Sequence, residues 1–222
     1  MPESTISEAV ENFIKSVYVL QQKNERVSTN ALKDALGISA PSVTDMAQRL
    51  MESGYVDYLK YRGVRLTDAG EAIALQVIRR HRLIELYLVS ELGYALHEVH
   101  DEAEALEHAV SDRFIQAIAS KLGNPEFDPH GDPIPTADGL IAARELHPLS
   151  DLPVGTSARV SRYITADADM LQHTLDRGFT LNTEVEVTAR DPFQGPLTVT
   201  IGDETTVIGY IVAETILVEV VE

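Results

Sequence analysis

The sequence predicts a mainly α chain with a small β domain, opening with a winged helix-turn-helix. Three observations lead there. Residues 7–66 hold three capped helical segments and then a short basic hairpin. Residues 71–122 carry long apolar helical stretches. Beyond residue 153 the apolar period changes from helical to two. At 222 residues and 44% apolar content, the chain is long enough for one large domain or two to three small ones. The expected division is 1–70 for a winged-helix domain, 71–140 for a helical domain, 141–153 for a linker and 154–222 for the β domain.

Residues 7–22 read as an amphipathic helix with Ser7 as N-cap and an apolar stripe of Val10, Phe13, Ile14, Val17, Tyr18 and Leu20. After a charged turn at 23–27, Ser28 and Thr29 cap a helix over Asn30–Leu36 that Gly37 ends. Ser39 caps the next helix, 40–52; Pro41 suits its first turn and Gly54 closes it. Tyr55–Lys60 and Val64–Thr67 then read as strands around Tyr61-Arg62-Gly63, a hairpin carrying Lys60, Arg62 and Arg65. Two helices, a tight turn and a basic hairpin describe a winged helix, with helix 40–52 in the major groove and the hairpin on the phosphates of double-stranded DNA. The residues expected to face bases are Ser39, Pro41, Ser42 and Thr44. Gln48, Arg49, Lys60, Arg62 and Arg65 are expected to serve phosphates.

The net charge of −17 seems to oppose nucleic acid, but its distribution does not. Residues 1–66 hold eight Lys/Arg and eight Asp/Glu; the other 156 hold ten and 27. The first third is therefore neutral overall and able to approach a phosphate backbone.

Thr67–Gly70 is a turn leading into a helix from Glu71 to about Leu92, apolar on more than one side and broken by Gly93. A second helix is expected over Glu98–Leu122, ended by Gly123. Two long apolar helices behind a DNA-binding head suit a dimer interface. Six of the ten prolines fall between Gly123 and Pro153, which reads as an extended connection. His130 and His147 lie there without acidic neighbours at helical spacing and receive no role. Beyond it, Ser157–Ile164, Glu184–Ala189, Leu197–Ile201, Thr206–Ile211 and Ile216–Val221 read as strands, and Ala166–Arg177 as a helix. Together they suggest a small barrel.

The helices after the hairpin carry the chemistry. His81 and Glu85 stand at i and i+4. His100, Glu104, Glu107 and His108 fall within about 100° of one another at roughly 100° per helical residue. Two imidazoles and two carboxylates on one face, with no Lys or Arg, repel one another unless a cation sits among them, and these ligand types suit first-row divalent metals. A solvated, weakly paired helix face is the plainer alternative. With no cysteine, disulfides, thiolate zinc sites and cysteine nucleophiles are excluded. No run of 18 apolar residues and no signal-peptide pattern occurs, so the expectation is a soluble cytoplasmic protein with no membrane partner. A di-metal carboxylate enzyme would use paired Glu-x-x-His motifs, which are absent. A metallohydrolase would need a marked general base, and no small organic substrate is expected.

Taken in order, His81-Arg-Leu-x-Glu85, Val99-His100-Asp-Glu-Ala, Glu107-His108, Gly-Asp-Pro-Ile-Pro at 131–135 and the strand-helix-strand start of the barrel resemble the metal-dependent repressors of the diphtheria toxin repressor and manganese transport regulator type. The resemblance covers essentially the whole chain. It implies a homodimer in which each subunit has a winged helix, a helical dimerisation domain and an SH3-like barrel, with two metal sites per subunit. By that resemblance one site would use His81, Glu85 and His100, completed by the region Asp167–Met170. The other would use Glu104, Glu107 and His108, completed near Asn12. Iron-responsive members have Cys at Glu104 and Met at Asn12; manganese regulators have acidic residues at Asn12 and Lys15. Oxygen ligands without sulfur point to Mn²⁺, with Fe²⁺ the alternative in an iron-dependent repressor.

Overall fold

The computed structural model describes residues 6–22, 24–165 and 167–221. They divide into two units. One is formed by the chain up to His81 with 106–112 and 135–140; the other by 82–105, 113–134 and the chain from 141 onward.

In the first unit, α1 (Glu8–Gln21), α2 (Thr29–Leu36) and α3 (Ala40–Glu52) precede a hairpin of β1 (Val56–Leu59) and β2 (Gly63–Leu66). The Ser28 hydroxyl accepts the Ala31 N–H and the Ser39 hydroxyl accepts the Ser42 N–H, each satisfying a donor orphaned at a helix start. Ser7 makes no such bond. Phe13, Ile14 and Val17 of α1 meet Leu32, Val43, Ala47, Leu50, Val56 and Val64 in a closed core. Val27 adds a short rung beside Val64. That rung presses the chain onto Gly63, at φ +98, where a Cβ would meet the Val27 carbonyl oxygen at 2.2 Å. This is a winged helix.

α4 (Asp68–Leu92) starts three residues before the expected Glu71, because the Thr67 hydroxyl accepts the Gly70 N–H at 3.2 Å and acts as the cap. It runs through both units. The single helix expected over 98–122 is two, α5 (Val99–Glu107) and α6 (Asp112–Lys121). The N–H groups of Ala109 and Val110 both return to the Leu106 carbonyl, and Ser111-Asp112 supplies fresh helix-start chemistry. Glu107 therefore closes α5, and His108 lies in the following turn rather than on a helix face.

The β domain, within the second unit, is an antiparallel six-stranded sheet. β3 (His147–Pro148), β4 (Ser157–Tyr163), β5 (Glu184–Arg190), β6 (Leu197–Ile201), β7 (Glu204–Ile208) and β8 (Ile216–Val220) lie in the order β3-β8-β4-β5-β6-β7. The segment expected as a linker supplies β3 and a 3₁₀ turn, and seats Leu149 and Leu152 in the sheet's core with Val160, Phe179, Val187, Val199 and Val218. α7 (Ala168–Asp176) follows β4; Ala166, where the sequence places its start, lies outside the described residues. α8 (Tyr210–Glu214) replaces the end of the strand expected over 206–211. Gly202 at φ +59 makes the β6–β7 turn tight, with Ile201 opposite Glu204, so β7 begins and ends early. Among the described residues no helix is long and apolar enough to cross a membrane.

Candidate metal centre

Each unit gathers a polar cluster of its own. In the first, α1 presents Glu11, Asn12 and Lys15, α4 presents Arg80 and His81, and the end of α5 with its turn presents Glu107 and His108. Glu107 is wholly buried. Lys15 Nζ lies 2.8 and 3.0 Å from its two oxygens, and His81 Nδ1 lies 2.6 Å from Oε2. A carboxylate only accepts, so Nδ1 carries the proton. Burial pushes the Glu107 carboxyl up, but the His81 hydrogen bond and the Lys15 charge together outweigh it and hold the group below its ordinary value. Both His108 nitrogens face oxygens: Nδ1 is 2.6 Å from Glu11 Oε2, and Nε2 is 2.8 Å from Asn12 Oδ1 and 3.2 Å from Glu107 Oε1. Arg80 bonds Glu11 at 3.0 Å and Asp112 at 3.3 Å. Of the group expected by resemblance, Asn12, Glu107 and His108 come together, whereas Glu104 stands beside His100 instead. The three that meet offer donors suited to a divalent ion once Lys15 withdraws.

In the second unit Glu85 of α4 is 2% exposed and faces an imidazole on either side. Its Oε1 lies 3.2 Å from His100 Nδ1 and its Oε2 lies 3.6 Å from His130 Nδ1. Glu104, half-exposed, stands one turn beyond His100 on α5, 3.6 Å from its Nε2. Asp128 is buried nearby; Glu85, Asp128 and His130 offer ligand atoms within 4.8 Å of one another. Burial first, then the charges of Asp132 and Glu85, push the Asp128 carboxyl up to about 7. Burial lowers the His130 value, but the hydrogen bond and charge of Glu85 outweigh it, so the net direction is up. Oxygen and imidazole donors with buried carboxylates fit a divalent cation.

The remaining expected ligands are engaged inside the β domain. Asp167 caps α7, accepting the Met170 N–H at 2.9 Å, and the Met170 sulfur accepts the Thr165 and Thr215 hydroxyls. His130 and Asp128 escaped the sequence reading because it looked for ligands at helical spacing, and both stand on a loop. The available signal was Asp128-Pro-His130 running into the Gly-Asp-Pro turn. Glu11 and Lys15 were missed as cluster members.

On the winged helix, Ser39, Pro41, Ser42, Gln48 and Arg49 are exposed at or on α3. Ser42 shares a hydroxyl hydrogen bond with Ser39 at 2.8 Å, and half-buried Thr44 donates its hydroxyl to the Ala40 carbonyl. Lys60, Arg62 and Arg65 are exposed on the hairpin, Arg65 within 3.9 Å of Asp57, which Arg26 also pairs. Tyr61 at the tip is 93% exposed at φ +67, with Lys60 Nζ 5.2 Å from its ring centre. The sequence reading took Tyr61 only as a turn residue.

A winged helix with a basic exposed tip, followed by helices that bury imidazoles against carboxylates, defines a metal-responsive DNA-binding regulator. Comparison with known proteins narrows the class. Residues 5–64 match the iron-dependent repressor N-terminal DNA-binding domain, 67–136 the iron-dependent repressor metal-binding and dimerisation domain, and 147–220 the FeoA domain. The iron-dependent repressor IdeR of Mycobacterium tuberculosis is 29% identical over 81% of this chain and 84% of its own. The diphtheria toxin repressor of Corynebacterium diphtheriae is 25% identical over 83% and 86%. Among solved structures, a manganese-dependent transcriptional repressor in complex with manganese is 40% identical, covers 96% of this chain and 100% of its own, and superposes with a TM-score of 0.87. The chain belongs to the iron-dependent repressor family and is a metal-dependent transcriptional repressor of that type, not an enzyme.

Proposed function

We propose that the chain works as a homodimeric cytoplasmic repressor of metal-uptake genes, activated for operator binding by Mn²⁺, with Fe²⁺ as the weaker activator and two ions per subunit. The donor chemistry carries the reading. The candidate donors are carboxylates and imidazoles in both clusters, with the Asn12 amide in the first, and a chain with no cysteine offers no thiolate to favour softer metals.

One site is Asn12, Glu107 and His108; the other is built on Glu85 with His100, flanked by Glu104. Bound at either, the ion would supply the positive charge that the carboxylates lack. Asn12 and Glu11 lie on α1 of the winged helix, so His108 ties that domain to the turn after α5 through both ring nitrogens. A head held in this way keeps two recognition helices at a fixed spacing, as half-sites about 34 Å apart or a multiple of it require.

Fluorescence anisotropy of a labelled promoter duplex, with and without Mn²⁺ or Fe²⁺, tests this. Tight binding should appear only with metal, and Glu107→Ala should abolish the stimulation while leaving a folded dimer. Equal binding with metal and with chelator would end the metal-activated reading.

A further inference from the structure

Tyr61 stands at the tip of the wing, 93% exposed, with its backbone at φ +67. A left-handed backbone is strained for a bulky side chain, and glycine or asparagine would turn the chain there without that strain. A ring in solvent gives the core nothing in return. Strain kept at an exposed tip points to a contact outside the chain. The tip is also held in place. The Leu59 carbonyl accepts the Arg62 N–H at 2.9 Å and closes the turn. Val27 exchanges backbone hydrogen bonds with Val64 of β2. Arg26 donates to the Asp57 carbonyl of β1 at 3.0 Å and pairs with the Asp57 carboxylate. Both strands are thus tied to the segment before α2, and the tip is presented on a rigid support.

The neighbours of the ring decide how it can act. Lys60 Nζ lies 5.2 Å from the ring centre, so an ammonium rests on one face. A ring covered in this way is not free to stack between two base pairs, which takes both faces. Its edge and its hydroxyl remain open, flanked by the positive charges of Lys60 and Arg62, both exposed. With α3 in a major groove, a hairpin beside it reaches over one phosphate strand to the adjoining minor groove. That groove is about 6 Å wide, enough for a phenol ring edge-on. Over A·T runs it is narrowest and most negative, and its floor offers only acceptors, adenine N3 and thymine O2. Over G·C the guanine 2-amino group stands on the floor.

We propose that Tyr61 reads the minor groove beside each recognition helix, its hydroxyl donating to the acceptors of an A·T pair while Lys60 and Arg62 hold the phosphates on either side. The guanine amino group would occupy the place of the phenol, so a G·C pair is rejected. The wing thus adds a sequence preference beyond the bases that Ser39, Pro41, Ser42 and Thr44 would face. The inference rests on operator binding through α3 and adds a second reading element to it.

Selection from a pool of random-sequence duplexes tests this, using full-length wild type, Tyr61→Ala and Tyr61→Gly in saturating Mn²⁺. Fluorescence anisotropy on one selected duplex at several salt concentrations follows. Wild type should enrich A·T pairs at two symmetric positions flanking the sequence read in the major groove. Changing one of them to G·C should weaken wild-type binding about 5–150-fold, as a mismatched base pair does. Inosine·cytosine keeps the major-groove face of G·C but lacks the 2-amino group, and should restore the affinity. Both variants should lose the flanking preference and keep the central sequence. Their salt slope should stay at the wild-type value, because no phosphate contact is removed. Glycine suits φ +67, so its loss of preference does not come from a misfolded tip. A flanking preference retained in both variants would overturn the proposal, and so would inosine·cytosine binding as weakly as G·C. A central sequence selected without A·T flanks would overturn the wing contact alone. Selection of no sequence by the wild type would overturn with it the operator binding on which it rests.

Discussion

Lys15 holds both oxygens of a carboxylate that solvent does not reach. A buried charge is costly unless paired, so this ammonium occupies electrostatically the place a metal would take beside Glu107. Helical spacing made Glu107 and His108 legible in the sequence, and the family resemblance added Asn12. Lys15 was legible only as a departure from the manganese-type pattern, because the 92 residues separating it from Glu107 hide the contact. Replacing it sets the two cations in competition. Lys15→Gln should destabilise the metal-free protein by about 2–3 kcal/mol, less than a fully buried pair would cost because Lys15 is partly exposed. Mn²⁺ should raise the melting temperature more in the variant than in wild type. The pH dependence has a definite sign. Glu107 is held below its ordinary value of 4.5, so its contribution is present above that value and is lost as pH falls through the lowered folded one. Without Lys15 that loss should begin at higher pH in an acid titration followed by circular dichroism. An unchanged acid midpoint and an unchanged Mn²⁺ response would separate Lys15 from the cluster.

Among the elements, the winged helix was the most legible, since its signals are local: Ser28 and Ser39 as caps, Pro41 in a first turn, Gly37 beyond a helix end. The run after Glu98 was less so. Its apolar periodicity continues across 108–111, and only backbone hydrogen bonds to Leu106 reveal the break that takes His108 off the helix. The linker reading failed to anticipate β3 because two residues pairing with β8 leave no alternation to detect. The wing allows a test that separates architecture from contact. Gly63→Ala forces a side chain into the Val27 carbonyl at a positive φ and should cost roughly 2 kcal/mol or more in stability. Arg62→Ala, at an exposed tip position, should leave the melting temperature alone. It should instead weaken binding to all duplexes alike and reduce the salt slope by about one, as loss of a phosphate contact does. A changed sequence preference in Arg62→Ala with an intact salt slope would assign the wing a base-reading role.

For the whole molecule, the distribution of charge bears on how metal and DNA act on each other. The first 66 residues are neutral and the rest carry all of the −17, so the chain behind the DNA-binding head repels a phosphate backbone. On the proposed mechanism each bound divalent ion would offset two of those negative charges, and the ion at Asn12, Glu107 and His108 would also hold the head. Coupling between the ligands should therefore have a positional part and an electrostatic part, and only the second is screened by salt. Linkage requires that operator DNA tighten Mn²⁺ binding by the factor with which Mn²⁺ tightens DNA binding, typically about 5–150-fold. Measured at low and at physiological ionic strength, with and without saturating operator, the Mn²⁺ dissociation constant should fall on adding DNA under both conditions, and by a smaller factor at the higher salt. A factor that does not change with salt would make the coupling wholly positional. A Mn²⁺ affinity indifferent to operator at both salts would contradict metal activation itself, because an ion that promotes DNA binding cannot fail to be held more tightly by the complex.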